Sequence, residues 1–209
     1  NEHLTALLFN ERSHAPPAAK NAFSKLHHLC NHIVNGNLPW YFYKGWTATS
    51  LSAINKLDPD NLREGEEMDC RPVAKGNSLR KAVTRALFEP FMDDIIKETS
   101  PTQFGCGVSG GGSMMVFAIQ LLLEANPDFV LIALDLNNAY NEICRQKVLE
   151  EFWSRPRLRA VWMYLHKTKV MNGYVGLGSG ERLVTAAFGS DEGEQQGAVE
   201  SGASFCVGI

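Results

Sequence analysis

The chain has 209 residues, of which 44% are hydrophobic, and a formal net charge of −3. That length and apolar content can bury a substantial core, as one large domain or two small ones, and exclude a disordered chain. The net acidity excludes a protein that coats nucleic acid by bulk electrostatics. No apolar run reaches the roughly 20 residues of a spanning helix, and NEHLTALLFNERSH carries charges where a signal peptide would be apolar. An intracellular protein, nuclear or cytoplasmic and without a membrane partner, is therefore expected. Cys30, Cys70, Cys106, Cys144 and Cys206 are odd in number, widely spaced and free of any CxxC, so reduced, partly buried thiols are expected rather than a disulfide framework or a zinc ribbon.

In chain order, residues 15–34 place Ala22, Phe23, Leu26, Leu29, Ile33 and Val34 at helical spacing, and NGNLP ends the pattern. His28 and His32 lie one turn apart, but with no third ligand in phase they read as a helix-surface or core pair. Residues 48–57 and 68–75 are strand-like and bracket the charged DPDNLREGEE, which predicts a hairpin with a polar tip. From Ala82 to Ile96 the apolar spacing is helical, interrupted at Pro90. Asp93 and Asp94 of the FMDD stretch then sit on the solvated side or in a first turn, where carboxylates suit the positive end of a helix.

TQFGCGVSGGGS, residues 102–113, is a glycine-rich loop feeding a helix over 114–125. It either reverses the chain, using glycine for its dihedral angles, or presents helix N-terminal amides to an anion. FVLIAL within residues 128–136 is a continuous apolar run. It predicts a central strand buried on both faces and ending on Asp135, a position that makes this carboxylate a site candidate. Residues 145–165 read as one or two helices broken at Pro156, residues 172–188 as a hairpin turning at Gly178–Gly180, and a last helix opens near Ala198. The expected fold is α+β, an antiparallel sheet with helices packed on one side.

Charge is unevenly placed. Arg71, Lys75, Arg80, Lys81 and Arg85 occur with no acid between residues 71 and 88. Seven basic residues, Arg145, Lys147, Arg155, Arg157, Arg159, Lys167 and Lys169, face Glu150 and Glu151. Each cluster is either a grip on a phosphate backbone or a solvated helix face.

Three segments carry a family resemblance. LDLNNAY at 134–140 matches an LDxxNAY motif through Leu134, Asp135, Asn138, Ala139 and Tyr140. RPV at 71–73 precedes it, and Gln196-Gly197 follows it. Together with Gln103 to Gly112, these resemble the reverse transcriptases of non-LTR retrotransposons over roughly residues 20–209. The resemblance implies an RNA-directed DNA polymerase, a nucleotidyltransferase with right-hand fingers over residues 1–127 and an incomplete palm over 128–209. It also implies two Mg²⁺ ions as cofactors, with an RNA template, a DNA primer and deoxynucleoside triphosphates as partners.

By the same resemblance Asp135 would bind both metals, with the backbone carbonyl of Leu136 as a further ligand. Tyr140 would act as the gate that excludes a ribose 2′-hydroxyl, or it would simply pack the helix onto the sheet. Arg71, more weakly Lys75, and Gln196 with Gly197 would hold the nucleotide. The family usually continues QGDPLGP, whereas Ala198, Val199, Glu200, Ser201 and Gly202 stand here and put a Glu on a side expected to pack. The family's paired aspartates follow the QG motif, so FMDD has the wrong order. The chain is expected to be a fragment, inactive alone, that stops before that pair. A non-catalytic RNA-binding module derived from a retroelement is the alternative.

Overall fold

The computed structural model describes residues 17–55, 70–136, 138–169, 171–177, 184–190 and 192–209. Helix α1 (Pro17–Val34) forms as its spacing predicts, but the stripe it buries is narrower. Cys30 and Ile33 are buried, with Leu26 and Val34 packed beside them, while Phe23 and Leu29 stay exposed. Gly36 stops the helix at φ +71, and a Cβ there would come within 2.8 Å of Met163 Cγ. A short helix α2 (Trp40–Trp46) follows and is tied back when the Tyr43 hydroxyl donates to the Ile33 carbonyl at 2.8 Å.

Strand β1 (Ala48–Asn55) pairs antiparallel with β2 (Cys70–Gly76), as the predicted hairpin requires; the charged tip lies outside the described residues. Helix α3 (Ser78–Phe88) is capped by Asn77, whose side chain accepts from the Leu79 amide at 2.7 Å. A single 3₁₀ turn (Glu89–Phe91) at Pro90 separates it from α4 (Met92–Thr99). Asp93 and Asp94 lie in the first turn of α4, and Asp94 accepts from Arg157 at 2.9 Å. FMDD is thus a helix start.

The glycine-rich loop leads into α5 (Gly111–Ala125). Gly111 is required by geometry, since a Cβ there would fall 1.8 Å from the Phe104 carbonyl oxygen. Residues 129–136 correct the strongest strand expectation: they form no regular element, and Val130, Ile132 and Leu134 are 87, 77 and 86% exposed. Among the described residues nothing pairs with the backbone of residues 130–136, and an apolar run becomes a buried strand only when a sheet neighbour satisfies its amides and carbonyls.

A one-turn helix α6 (Ala139–Glu142) precedes α7 (Arg145–Ser154) and α8 (Arg159–Thr168), which divide around Pro156 as expected. Strands β3 (Met171–Leu177) and β4 (Val184–Ser190) form the second antiparallel hairpin, its turn outside the described residues. Helix α9 (Ser201–Gly208) closes the chain, starting three residues later than predicted.

The strand order is β2-β1-β3-β4, and β1 pairs with β3 in parallel. The fold is therefore mixed α+β, and its sheet is two antiparallel hairpins joined by a parallel seam rather than wholly antiparallel. The hydrophobic core gathers Ile33, Tyr43, Phe88 and Ile95 with Val148, Phe152, Val161, Tyr164 and Val207, so residues before and after 128 share one interior. Through that interior runs a polar chain. Trp46 Nε1 donates to the Tyr164 hydroxyl at 3.1 Å, and Thr84 Oγ1 lies 2.7 Å from the same oxygen. The Trp46, Thr84 and Tyr164 polar atoms are thereby satisfied, which spares the fold their desolvation penalty.

Candidate functional site

Two chain reversals build the site. The first is the turn at 138–143, where Asn138 adopts φ 50 and its carbonyl accepts from the amides of Asn141 at 2.8 Å and Glu142 at 3.1 Å. The second is the loop 192–197, which lies against that turn: the Glu194 amide donates to the Tyr140 carbonyl and the Gly193 amide to the Ile143 carbonyl at 3.0 Å. Gly193 is obligatory because a Cβ would sit 2.0 Å from the Asn141 carbonyl oxygen. The same loop reaches the sheet edge, where the Ala74 amide donates to the Gln196 carbonyl at 2.8 Å. Gly197, at φ +101, makes its close approach to the backbone of β2, since its Cβ would stand 2.9 Å from the Ala74 carbonyl oxygen.

Between these reversals and the edge strand lies a cleft of about 330 Å³. Arg71, Pro72, Asp135, Leu136, Asn138, Tyr140, Asn141 and Gln196 line it. Five of the residues singled out from the sequence, Arg71, Asp135, Leu136, Tyr140 and Gln196, are thus brought to one cavity from three segments. Lys75 and Gly197 are exposed but outside its lining; Lys75 follows Arg71 on the same face of β2, four residues on.

Tyr140 stacks on Phe205 of α9 with ring centroids 4.8 Å apart, so its ring packs on a helix rather than on the sheet while one edge lines the cleft. Burial, followed by the nearby Cys206 and Cys106, raises its phenol pKa, keeping it a neutral hydroxyl. A second cleft of about 290 Å³ adjoins the first across Pro72, Asn141 and Gln196 and reaches Glu194. The Glu194 carboxyl is buried, its pKa is pushed up to about 7 by that burial and then by Glu200, and its Oε2 has no protein hydrogen-bond partner.

Two arginines of the basic clusters are internal, so at these positions neither a phosphate grip nor a solvated helix face is found. Arg80 is 3% exposed and bonds Glu200 Oε1 at 2.7 Å, with Gln195 Oε1 and the Thr47 carbonyl each at 3.4 Å. Burial works to discharge its guanidinium, and Glu200, helped by Tyr164, more than offsets this. The Glu that departs from the family's QGDPLGP pattern therefore has a partner in the core.

Arg145, at the start of α7, donates to the carbonyls of Lys169, Ser190, Glu192 and Gly193 and to Ser190 Oγ, clamping the loop behind the cleft. Its signal in the sequence was a cation in a first helical turn, where the dipole disfavours positive charge. Other members of the second cluster are engaged as well. Arg155 bonds Glu151 at 2.5 Å, Arg157 bonds Asp94, and Arg159 stands 5.1 Å over the Trp153 ring. The exposed cations of the first cluster are Arg71, Lys75, Lys81 and Arg85, of which Arg71 lines the cleft.

The donor set for a cation at this cleft is one carboxylate, Asp135, and the backbone carbonyl of Leu136. These are hard oxygens of the kind Mg²⁺ prefers. Among the described residues no group of three or more Asp, Glu, His or Cys could hold a metal ion. Such a donor set does not fit two ions. His28 and His32 pair with each other on the exposed face of α1, Nε2 to Nε2 at 3.0 Å. No described helix is long and apolar enough to cross a membrane. In comparison with known proteins, no family model matches the chain, and no curated protein is significantly similar to it.

Proposed function

We propose that the chain is the nucleotide-binding portion of an RNA-directed DNA polymerase of the non-LTR reverse-transcriptase type. What supports the reading is the convergence of Arg71, Asp135, Tyr140 and Gln196, more than 120 residues apart at the extremes, on one cleft. In this reading the exposed Arg71 guanidinium holds the triphosphate through charge-assisted hydrogen bonds. Tyr140, fixed by its stack on Phe205, limits the room beside the sugar, and Gln196 contacts the nucleotide from a loop anchored to β2. A divalent ion would supply charge neutralisation at the phosphates when bound. With one carboxylate in the described cleft, the chain binds nucleotide without completing a two-metal transfer.

The test is fluorescence polarisation with a labelled deoxynucleoside triphosphate and Mg²⁺. Arg71→Ala is expected to weaken binding about tenfold, the loss of one hydrogen bond to a charged group. Asp135→Ala is expected to remove the Mg²⁺ dependence. Unchanged affinity in both variants would refute the assignment. The isolated chain is expected to give no primer extension with Mg²⁺ or Mn²⁺, and incorporation abolished by Asp135→Ala would overturn the single-carboxylate account.

The exposed row of Arg71, Lys75, Lys81 and Arg85 favours a second reading, an RNA-binding module without catalysis. Under it, affinity for structured RNA falls steeply with salt and drops with Lys81→Ala, while triphosphate binding is absent.

A further inference from the structure

We propose that Cys106 and Cys206 form a thiol pair that a peroxide converts to a disulfide, locking the glycine-rich loop onto helix α9. The proposal does not depend on the polymerase reading. Its geometric basis is the way the loop meets the helix. The Gln103 side chain donates to Cys206 Sγ through Nε2 and accepts from the Gly105 amide through Oε1, so one residue joins the loop to α9. Cys106 Sγ lies 3.8 Å from where a Cβ on Gly202 would be, and Gly202 is one helical turn before Cys206 on the same face of α9. Cys106 therefore abuts the turn of α9 that carries Cys206, and both cysteines are half-buried, shielded from bulk yet reachable by a small oxidant. Cys30 is buried, and Cys144 is exposed.

The two sulfurs are unequal in a way that suits the chemistry. The neighbouring Cys206 thiol holds the Cys106 pKa down at about 7, against the opposing effect of burial. The Cys206 thiol is pushed far up, first by the neighbouring Cys106 thiol, then by burial and by the Cys106 charge. Cys106 is therefore the nucleophile. Its thiolate attacks one oxygen of hydrogen peroxide, the O–O bond breaks, and the departing hydroxide takes a proton to leave as water.

The resulting Cys106 sulfenic acid is neutral, so the charge that held the Cys206 proton in place is gone. Cys206 sulfur then attacks the Cys106 sulfur, the S–O bond breaks, and a second water leaves with the Cys206 proton. Two thiols and one peroxide give one disulfide and two waters, each sulfur losing one electron. A dithiol reductant reverses the reaction. Because Phe205, the neighbour of Cys206, stacks on Tyr140, the bond also stiffens one wall of the cleft.

The experiment treats the native 209-residue chain with hydrogen peroxide, quenches with an alkylating agent and maps the peptides by mass spectrometry. The expected result is a 106–206 cross-linked peptide lighter by two hydrogens, restored by dithiothreitol and forming faster as pH rises through 7. Half-ionisation at neutral pH, discounted for the lower nucleophilicity of a more acidic thiol, makes Cys106 oxidise roughly fivefold faster than an unperturbed thiol. Cys206→Ser, an isosteric change, should leave a dimedone-trappable sulfenic acid on Cys106, and Cys106→Ser should abolish the fast phase. A stable Cys106 sulfenic acid in the unaltered chain with no cross-link would overturn the proposal. So would equal oxidation rates at Cys106 and Cys144.

Discussion

Glu200 lies close enough to oppose the ionisation of Glu194, and the two carboxyls have unequal neighbours. Glu200 bonds Arg80 directly, while Glu194 keeps an unsatisfied oxygen and holds its proton to about pH 7. A carboxyl whose pKa rises from 4.5 unfolded to about 7 folded binds more protons in the native state between those values. Its contribution to stability is therefore fully present below about pH 4.5 and is lost as pH climbs through 7. The full span corresponds to about 3 kcal/mol. Glu194→Gln is expected to flatten the fall in urea midpoint between pH 5 and 8 that the unaltered chain shows. A fall of the same size in the variant would assign the effect to another group. Glu200→Ala should cost about 3–5 kcal/mol by stranding the Arg80 guanidinium in the core, whereas Arg80→Met combined with Glu200→Leu should recover most of that loss. Denaturant titration of the three variants separates these outcomes.

At the scale of elements, the loop 192–197 is held by backbone contacts that no side chain can replace. Gly193 packs on the turn before α7 and Gly197 on β2, each at positive φ. Gly193→Ala or Gly197→Ala is expected to cost at least about 1–3 kcal/mol of backbone strain. Either variant should also raise hydrogen exchange at the amides of Ala74 and Glu194, which bond across these contacts. Native protection at both amides would show that the loop tolerates a side chain. Arg145, with its bonds to four carbonyls, serves the same loop from the other side. Those bonds offset the unfavourable placement of a cation at a helix start.

On the scale of the whole molecule, α5 and the segment after it leave a broad apolar face uncovered among the described residues. Phe117 and Leu121 on the helix are each 65% exposed, and Val130, Ile132 and Leu134 follow on the segment. Such a face exceeds what scattered surface residues present and should bind an environment-sensitive apolar dye. Val130→Lys with Ile132→Lys is expected to lower dye fluorescence while changing stability by less than about 0.5 kcal/mol, because neither side chain is packed. A large loss of stability would mean that the segment is buried in solution. The core lies apart from this face, on the side where α7 and α8 meet α1, α4 and α9.

Sequence periodicity by itself determined α1, the α3–α4 pair broken at Pro90, the α7–α8 pair broken at Pro156 and both hairpins, because apolar spacing, glycine and proline act over a few neighbouring residues. The motif residues of the cleft were likewise legible as types: an arginine, an acid, a tyrosine and a glutamine in order along the chain. Only the tertiary structure decided that β1 and β3 run parallel, that residues 129–136 have no partner strand among the described residues, and that Arg80 and Arg145 turn inward. Each of these depends on which distant group meets a backbone edge or a charge, and local composition carries no record of that distance.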